Sequence, residues 1–216
     1  GKQLFDWANQ RKEPIPVFAE MGSVNPVYLL PEKLQLSASE IATMYAGSIT
    51  LGTGQFCTNP GLIIGIESEA LEKFITDLGT AVQAIAPSSM LHAGIAKAYA
   101  ENKNNALTQQ GVRVVAQSNT AAGENEGMPT IAVTDGQTFL SNPLLHKEVF
   151  GPYSLIVRCS NAQEMLLVAQ QMEGQLTTTL MATENDMLTH EAIVEAVQNT
   201  CGRFVMNGVP TGVEVC

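Results

Sequence analysis

The chain has 216 residues, 45% of them apolar and only 15% charged, with a formal net charge of −10. That length suffices for one large domain with a full hydrophobic core, and the charged fraction lies below the roughly one quarter usual for soluble domains. Eleven basic residues stand against 21 acidic ones, with no basic stripe denser than Arg11-Lys12, which argues against nucleic acid and anionic membrane surfaces as partners. No apolar run reaches membrane-spanning length, Leu62-Ile63-Ile64 and Met165-Leu166-Leu167-Val168 being far too short, and Gly1–Trp7 lacks the apolar region of a signal peptide. Cys57, Cys159, Cys201 and Cys216 form no CxxC, and His92, His146 and His190 form no ligand-spaced cluster, so no metal site is expected. Free cysteines and nine methionines suit a reducing cytoplasm.

A helix is under way at Leu4-Phe5-Asp6-Trp7-Ala8 and is ended by Arg11-Lys12-Glu13-Pro14, since the residue before a proline is pushed out of the α region. Pro16–Glu20 and Pro26–Leu30 read as short strands, separated by the turn Glu20–Pro26. Ser37 and Glu40 have the capping-box spacing, which predicts a helix from Ser37 through Ile41, Met44, Tyr45 and Ile49. Beyond the glycine-rich turn at 52–61, Gly61–Ile66 is an apolar strand, and Ser68 opens a helix with Leu71, Phe74, Ile75 and Leu78 on one face. A helix at Leu91–Ala100, with the polar run Glu101–Asn105 at its end, precedes strands at Val112–Ala116 and Thr130–Val133. Asn142–Pro152 carries little regular structure. Strand Tyr153–Val157, helix Asn161–Met172, strand Thr177–Ala182, helix Thr189–Asn199 and strand Arg203–Asn207 complete the chain. Strands alternating with helices, several strands being apolar on both faces, predict one α/β domain with a mainly parallel twisted sheet and helices on both faces.

Three places carry chemistry. Cys57 sits in Gly52-Thr53-Gly54-Gln55-Phe56-Cys57-Thr58-Asn59-Pro60-Gly61, where glycines let the backbone turn sharply and present a thiol at the mouth of a cleft. Glu20 closes a predicted strand, and the carboxyl ends of strands in such sheets line the ligand crevice. Glu148 lies in the longest irregular stretch, and such connections are often functional. By the residues alone, the plainer reading comes first, an incidental half-buried cysteine in a tight turn and two solvent-exposed turn carboxylates, and it stops at an α/β domain with a possible thiol nucleophile.

The motifs Glu20-Met21-Gly22-Ser23-Val24-Asn25-Pro26, Gly54-Gln55-Phe56-Cys57-Thr58-Asn59-Pro60 and Glu148-Val149-Phe150-Gly151-Pro152 resemble three signatures of the aldehyde dehydrogenase superfamily. They come in the family's order, separated by 37 and 91 residues (57 − 20 and 148 − 57). The resemblance implies that Cys57 is a nucleophile that adds to an aldehyde and later carries a thioester. It implies that Glu20 is the base that activates water to hydrolyse the thioester, its pKa lifted by partial burial. Glu148 would then hold ribose hydroxyls of NAD(P), Phe150 would pack near the nicotinamide, the Met21 backbone would contact its carboxamide, and Phe56 and Thr58 would line the aldehyde pocket. Ser23 replaces the family's usual second glycine. The same resemblance implies a catalytic domain (1–216) with most of the NAD(P)-binding domain absent. On that reading residues 1–13 are a helix left from the adjoining cofactor-binding domain, and the family's C-terminal oligomerisation arm lies beyond Cys216. It also implies a homo-oligomeric, cytoplasmic parent acting on a small aldehyde, with the fragment alone inactive.

Gln55–Gly61 and Val209-Pro210-Thr211-Gly212-Val213-Glu214-Val215 most resemble 2-oxoglutarate semialdehyde (2,5-dioxopentanoate) dehydrogenases, with NADP-dependent fatty aldehyde dehydrogenases as the alternative. Two other classes stay open: a thiol hydrolase or acyl-transfer enzyme pairing Cys57 with His92, His146 or His190, and a catalytically silent structural domain.

Overall fold

The computed structural model describes residues 1–211; Gly212, Val213, Glu214, Val215 and Cys216 lie outside the described residues. One seven-stranded sheet organises the chain. Its strands are β1 (Val27–Leu29), β2 (Leu62–Ile66), β4 (Arg113–Gln117), β6 (Thr130–Asp135), β7 (Tyr153–Cys159), β8 (Gln175–Met181) and β9 (Cys201–Met206), in the order β4-β6-β7-β2-β1-β8-β9. Every neighbouring pair is parallel except β4 with β6, which is antiparallel at the edge. Two short strands, β3 (Ser88–Ser89) and β5 (Glu126–Gly127), pair separately.

Alternation along the strands sorts two cores. Val27, Leu29, Ile63, Ile131, Val133 and Ile156 face a core shared with α2 (Pro31–Thr50) and α3 (Glu69–Gln83). Tyr28, Leu62, Ile64, Ala132, Leu155 and Val157 face the other, which takes in Tyr99 of α4 (Ala93–Leu107), Phe139 of α5 (Gly136–Ser141), Met165 and Val168 of α6 (Ala162–Gln171), and Ile193 and Val197 of α8 (Glu191–Gln198). Side chains such as Leu71, Phe74 and Leu78 are fully buried, each worth about 1.5–3 kcal/mol of hydrophobic transfer. The apolar face read from the sequence for α3 is thus the buried one.

Several local expectations change. Residues 16–20 form no strand: among the described residues nothing pairs with them, Pro14 and Pro16 have no N–H to offer, and Phe18 is 97% exposed. The helix expected from Ser37 starts at Pro31, with the proline at a first-turn position where its missing donor costs nothing. Ser37 is instead a kink inside α2 (φ −140°) and makes no capping bond. The amides of Glu32 and Lys33 are satisfied from across the chain by Asp186, at 3.0 and 2.8 Å, the same carboxylate that closes the capping box of α7 (Glu184–Thr189). Helix α4 absorbs the polar run at 101–105 and continues to Leu107, while α5 and α7 are short helices without a sequence-level counterpart. At the other end, α1 (Lys2–Asn9) buries only Ala8, leaving Leu4, Phe5 and Trp7 exposed.

Candidate active site

The order β7-β2-β1-β8 places side by side the loops that enter those strands. Residues 148–152 lead into β7, 55–61 into β2 and 20–26 into β1, while Gln175 opens β8. The three motifs therefore meet at the amino ends of the strands. This overturns the placement of Glu20 at a strand's carboxyl end. Residues 16–20 are not a strand, and parallel pairing brings the entering loops together at the opposite edge.

Local backbone chemistry presents Cys57. After α2, the 3-10 turn Leu51–Gly54 holds three successive residues at positive φ: Gly52 at 55°, Thr53 at 59° and Gly54 at 65°. For a β-branched residue this conformation costs on the order of 1–2 kcal/mol. Thr53 is held there by its hydroxyl, which donates to the Ser89 carbonyl (3.2 Å) and accepts from Ser88 Oγ (2.7 Å). Gly54 is pressed onto the third motif, where an added Cβ would lie 2.3 Å from the Gly151 carbonyl. Gly151 in turn lies under the ring of Tyr99, whose hydroxyl donates to the carbonyls of Met128 and Pro152. The turn thus ends with Cys57 exposed and Phe56 and Thr58 half-buried on either side.

Side-chain amides join the loops. Asn25, 1% exposed, donates from Nδ2 to the carbonyls of Cys57 and Asn59, both at 2.9 Å. Asn59 Nδ2 donates to the Gly151 carbonyl at 3.2 Å. Gln175 Oε1 accepts from Val24 N (2.8 Å), Ser23 Oγ (3.1 Å) and Asn25 N (3.3 Å).

An open cleft of about 510 Å³ collects residues from all three motifs: Glu20, Met21, Gly22, Cys57, Glu148 and Phe150. Five of the seven residues singled out in the sequence therefore share one cavity. Phe56 and Thr58 do not line it; the Phe56 ring folds back toward Gly52. Glu20 is exposed and accepts from Gly22 N at 3.2 Å, so the partial burial expected of it falls instead on Glu148. Burial raises the Glu148 carboxyl above the usual glutamate range, the Glu20 carboxylate adds to the rise, and the Ser23 amide partly offsets it.

Among the described cysteines, Cys57 alone is exposed. Cys159 is buried and its thiol is pushed up to about 12 by burial and by the nearby carboxylates Glu164 and Glu67. No histidine lines the Cys57 cleft. His92 caps α4 by accepting from Gly94 N, His146 stacks on Phe139 while bonding its carbonyl, and His190 joins α7 to α8. Nothing in this geometry supplies a cysteine–histidine pair. Among the described residues no cluster of three or more His, Cys, Asp or Glu could hold a metal, and no helix is long and apolar enough to cross a membrane.

Asn25, Asn59, Gln175 and Thr53 were not singled out in the sequence. Asn25 and Asn59 sit before Pro26 and Pro60, but that pairing alone marks only a turn. Gln175 and Thr53 carry no local signal, because their partners are up to 152 residues away.

With this arrangement established, the family follows. Residues 1–215 match the aldehyde dehydrogenase family, and the chain belongs to it. Two curated relatives match its whole length: alpha-ketoglutaric semialdehyde dehydrogenase 2 from Azospirillum brasilense at 40% identity, and alpha-ketoglutaric semialdehyde dehydrogenase from Acinetobacter baylyi at 38%. The chain spans 41% of the length of each. Among solved structures, a bifunctional proline utilization A protein aligns over 99% of this chain and 22% of its own (TM-score 0.80, 19% identity). A glyceraldehyde-3-phosphate dehydrogenase from Methanocaldococcus jannaschii, complexed with NADP, aligns over 90% of this chain and 41% of its own (TM-score 0.71, 22% identity). At those identities the structural likeness establishes the fold.

Proposed function

We propose that this chain is the catalytic domain of an NAD(P)-dependent semialdehyde dehydrogenase that oxidises an aldehyde to a carboxylate through a Cys57 thioester. The observation that carries the reading is the common cleft of Cys57, Glu20 and Glu148, three residues far apart in sequence. The substrate class rests on the two semialdehyde dehydrogenase relatives, with a fatty aldehyde as the alternative.

Cys57 Sγ attacks the aldehyde carbon, forming a C–S bond and a thiohemiacetal. Its backbone N–H is the donor this chain offers to steady the oxygen. A nicotinamide cofactor, when bound, would supply the acceptor for the hydride whose departure from this adduct leaves a thioester. The cleft fits the nicotinamide end of such a cofactor: the half-buried Glu148 carboxyl offers acceptors for vicinal hydroxyls, Phe150 offers an apolar ring, and the Met21 backbone offers a polar edge. Glu20, tethered by Gly22 N, takes a proton from water, which attacks the thioester, releasing the acid and returning the thiol. Phe56 and Thr58 lie outside this cleft, so their place beside the aldehyde rests only on their being Cys57's neighbours in the chain. Residues 1–13 belong with the adjoining cofactor-binding domain, a reading supported by the exposed apolar face of α1.

The test uses an enzyme of the relatives' length that carries these residues. Cys57→Ser is expected to abolish NAD(P)+ reduction on aldehyde addition, and surviving reduction would defeat the assignment. Glu20→Gln is expected to leave a burst of one equivalent of NAD(P)H without turnover, and loss of the burst itself would move Glu20 out of deacylation. The present chain alone is expected to show negligible activity.

A further inference from the structure

We propose that Asn25 is the positioning residue that registers the Cys57 loop against the Glu20 turn; this rests on the reading of Cys57 as nucleophile. The side chain is buried and sits at φ 47° immediately before Pro26, a position that ordinarily favours extended backbone. Asparagine tolerates this left-handed conformation better than most residues, and here its side chain makes use of it. Oδ1 accepts from Ser23 Oγ (2.9 Å), Thr177 Oγ1 (3.0 Å) and Thr177 N (3.3 Å), while Nδ2 donates to the carbonyls of Cys57 and Asn59. Thr177 N can only donate, so the amide orientation is fixed: the oxygen faces β8, and the nitrogen faces the catalytic loop. The bond to the Cys57 carbonyl fixes the peptide plane between Cys57 and Thr58, and with it the direction in which the thiol leaves its Cα. Asn25 lies five residues after Glu20 on the chain that enters β1, so a single side chain ties the turn of the base to the loop of the nucleophile.

This role gives Asn25→Asp a specific signature. Aspartate keeps the shape, the tolerance of left-handed backbone and the acceptor toward Thr177. It replaces the two donated bonds with a carboxylate oxygen facing two carbonyl oxygens. Asn25→Gly keeps the backbone conformation and removes the side chain. The amides of Gln55, Asn59 and Gly61 are hydrogen-bonded within this region, to Gly52 O, Phe56 O, and Val24 O with Asn59 O, and report its opening. In this chain, hydrogen exchange at those amides is expected to accelerate at least ~tenfold in both variants, as the loss of two ordinary hydrogen bonds implies, with exchange in α3 unchanged. In an enzyme of the relatives' length, Asn25→Asp is expected to lower kcat about tenfold or more while KM for the cofactor stays within about twofold.

Loop exchange within twofold of the parent in both variants overturns the proposal. So does a uniform rise throughout the chain, or general unfolding of both variants, because either describes a scaffold residue. An unchanged kcat also overturns it. Failure of the underlying reading looks different, since it shows as activity that survives Cys57→Ser. Failure of the Asn25 proposal leaves Cys57→Ser inactive and Asn25→Asp fully active.

Discussion

Gly54→Ala measures how closely the Cys57 loop approaches the loop of Glu148. The added Cβ would lie 2.3 Å from Gly151 C and O and 2.5 Å from Pro152 N, all backbone atoms that cannot rotate away. Gly54 also holds φ +65°, where an L side chain costs roughly 1–2 kcal/mol even with free space. Separating the two loops adds an overpacking cost of roughly 1–3 kcal/mol, for a total of about 2–5 kcal/mol. The control is Gly47→Ala in α2, where an added Cβ meets nothing within 4 Å and alanine is expected to stabilise by about 0.5–1 kcal/mol. Urea unfolding of the three proteins, read as midpoint shifts at constant slope, gives both signs in one experiment. A loss below about 1 kcal/mol at Gly54 would refute the backbone contact on which the assembled cleft depends.

Glu148→Gln is expected to raise the urea midpoint at pH 7. A carboxyl raised on folding binds its proton more tightly in the folded chain, so its contribution is fully present below the unfolded value, about 4.3, and is lost as pH rises through the folded value. The advantage of the glutamine should therefore vanish below about pH 4; a gap independent of pH would remove burial and Glu20 as its cause. Among the described cysteines, iodoacetamide labelling followed by peptide mass spectrometry should modify Cys57 first, half-exposed Cys201 more slowly and buried Cys159 last. Native-state labelling of Cys159 as fast as Cys57 would contradict the burial pattern.

Much of the fold could be read because its signals are local. Ser68 caps α3 by accepting from Leu71 N, and Leu71, Phe74, Ile75 and Leu78 are buried on the face that their spacing defines. Unbroken apolar runs such as Leu62–Ile64 pointed to strands covered on both sides. The errors fall where distant chain decides. Ser37 and Glu40 have capping-box spacing, yet α2 starts earlier because Asp186 supplies acceptors for Glu32 N and Lys33 N. Residues 16–20 have strand-like composition and no strand to pair with, and β-propensity without a partner makes no ladder.

The candidate site divides in the same way. By itself the sequence singled out Cys57, Glu20 and Glu148 as candidates, because they lie in three motifs that resemble a family's signatures in the family's order. It could not determine how they meet. Strand order sets the loops before β7, β2 and β1 side by side, placing the cleft at the amino ends of the strands. Asn25, Asn59 and Gln175 then lock those loops through bonds spanning up to 152 residues. Burial likewise selected Glu148, rather than Glu20, as the half-buried carboxyl. Periodicity and capping act over a few residues, whereas the register between loops and the solvation of a carboxylate exist only once the sheet has formed.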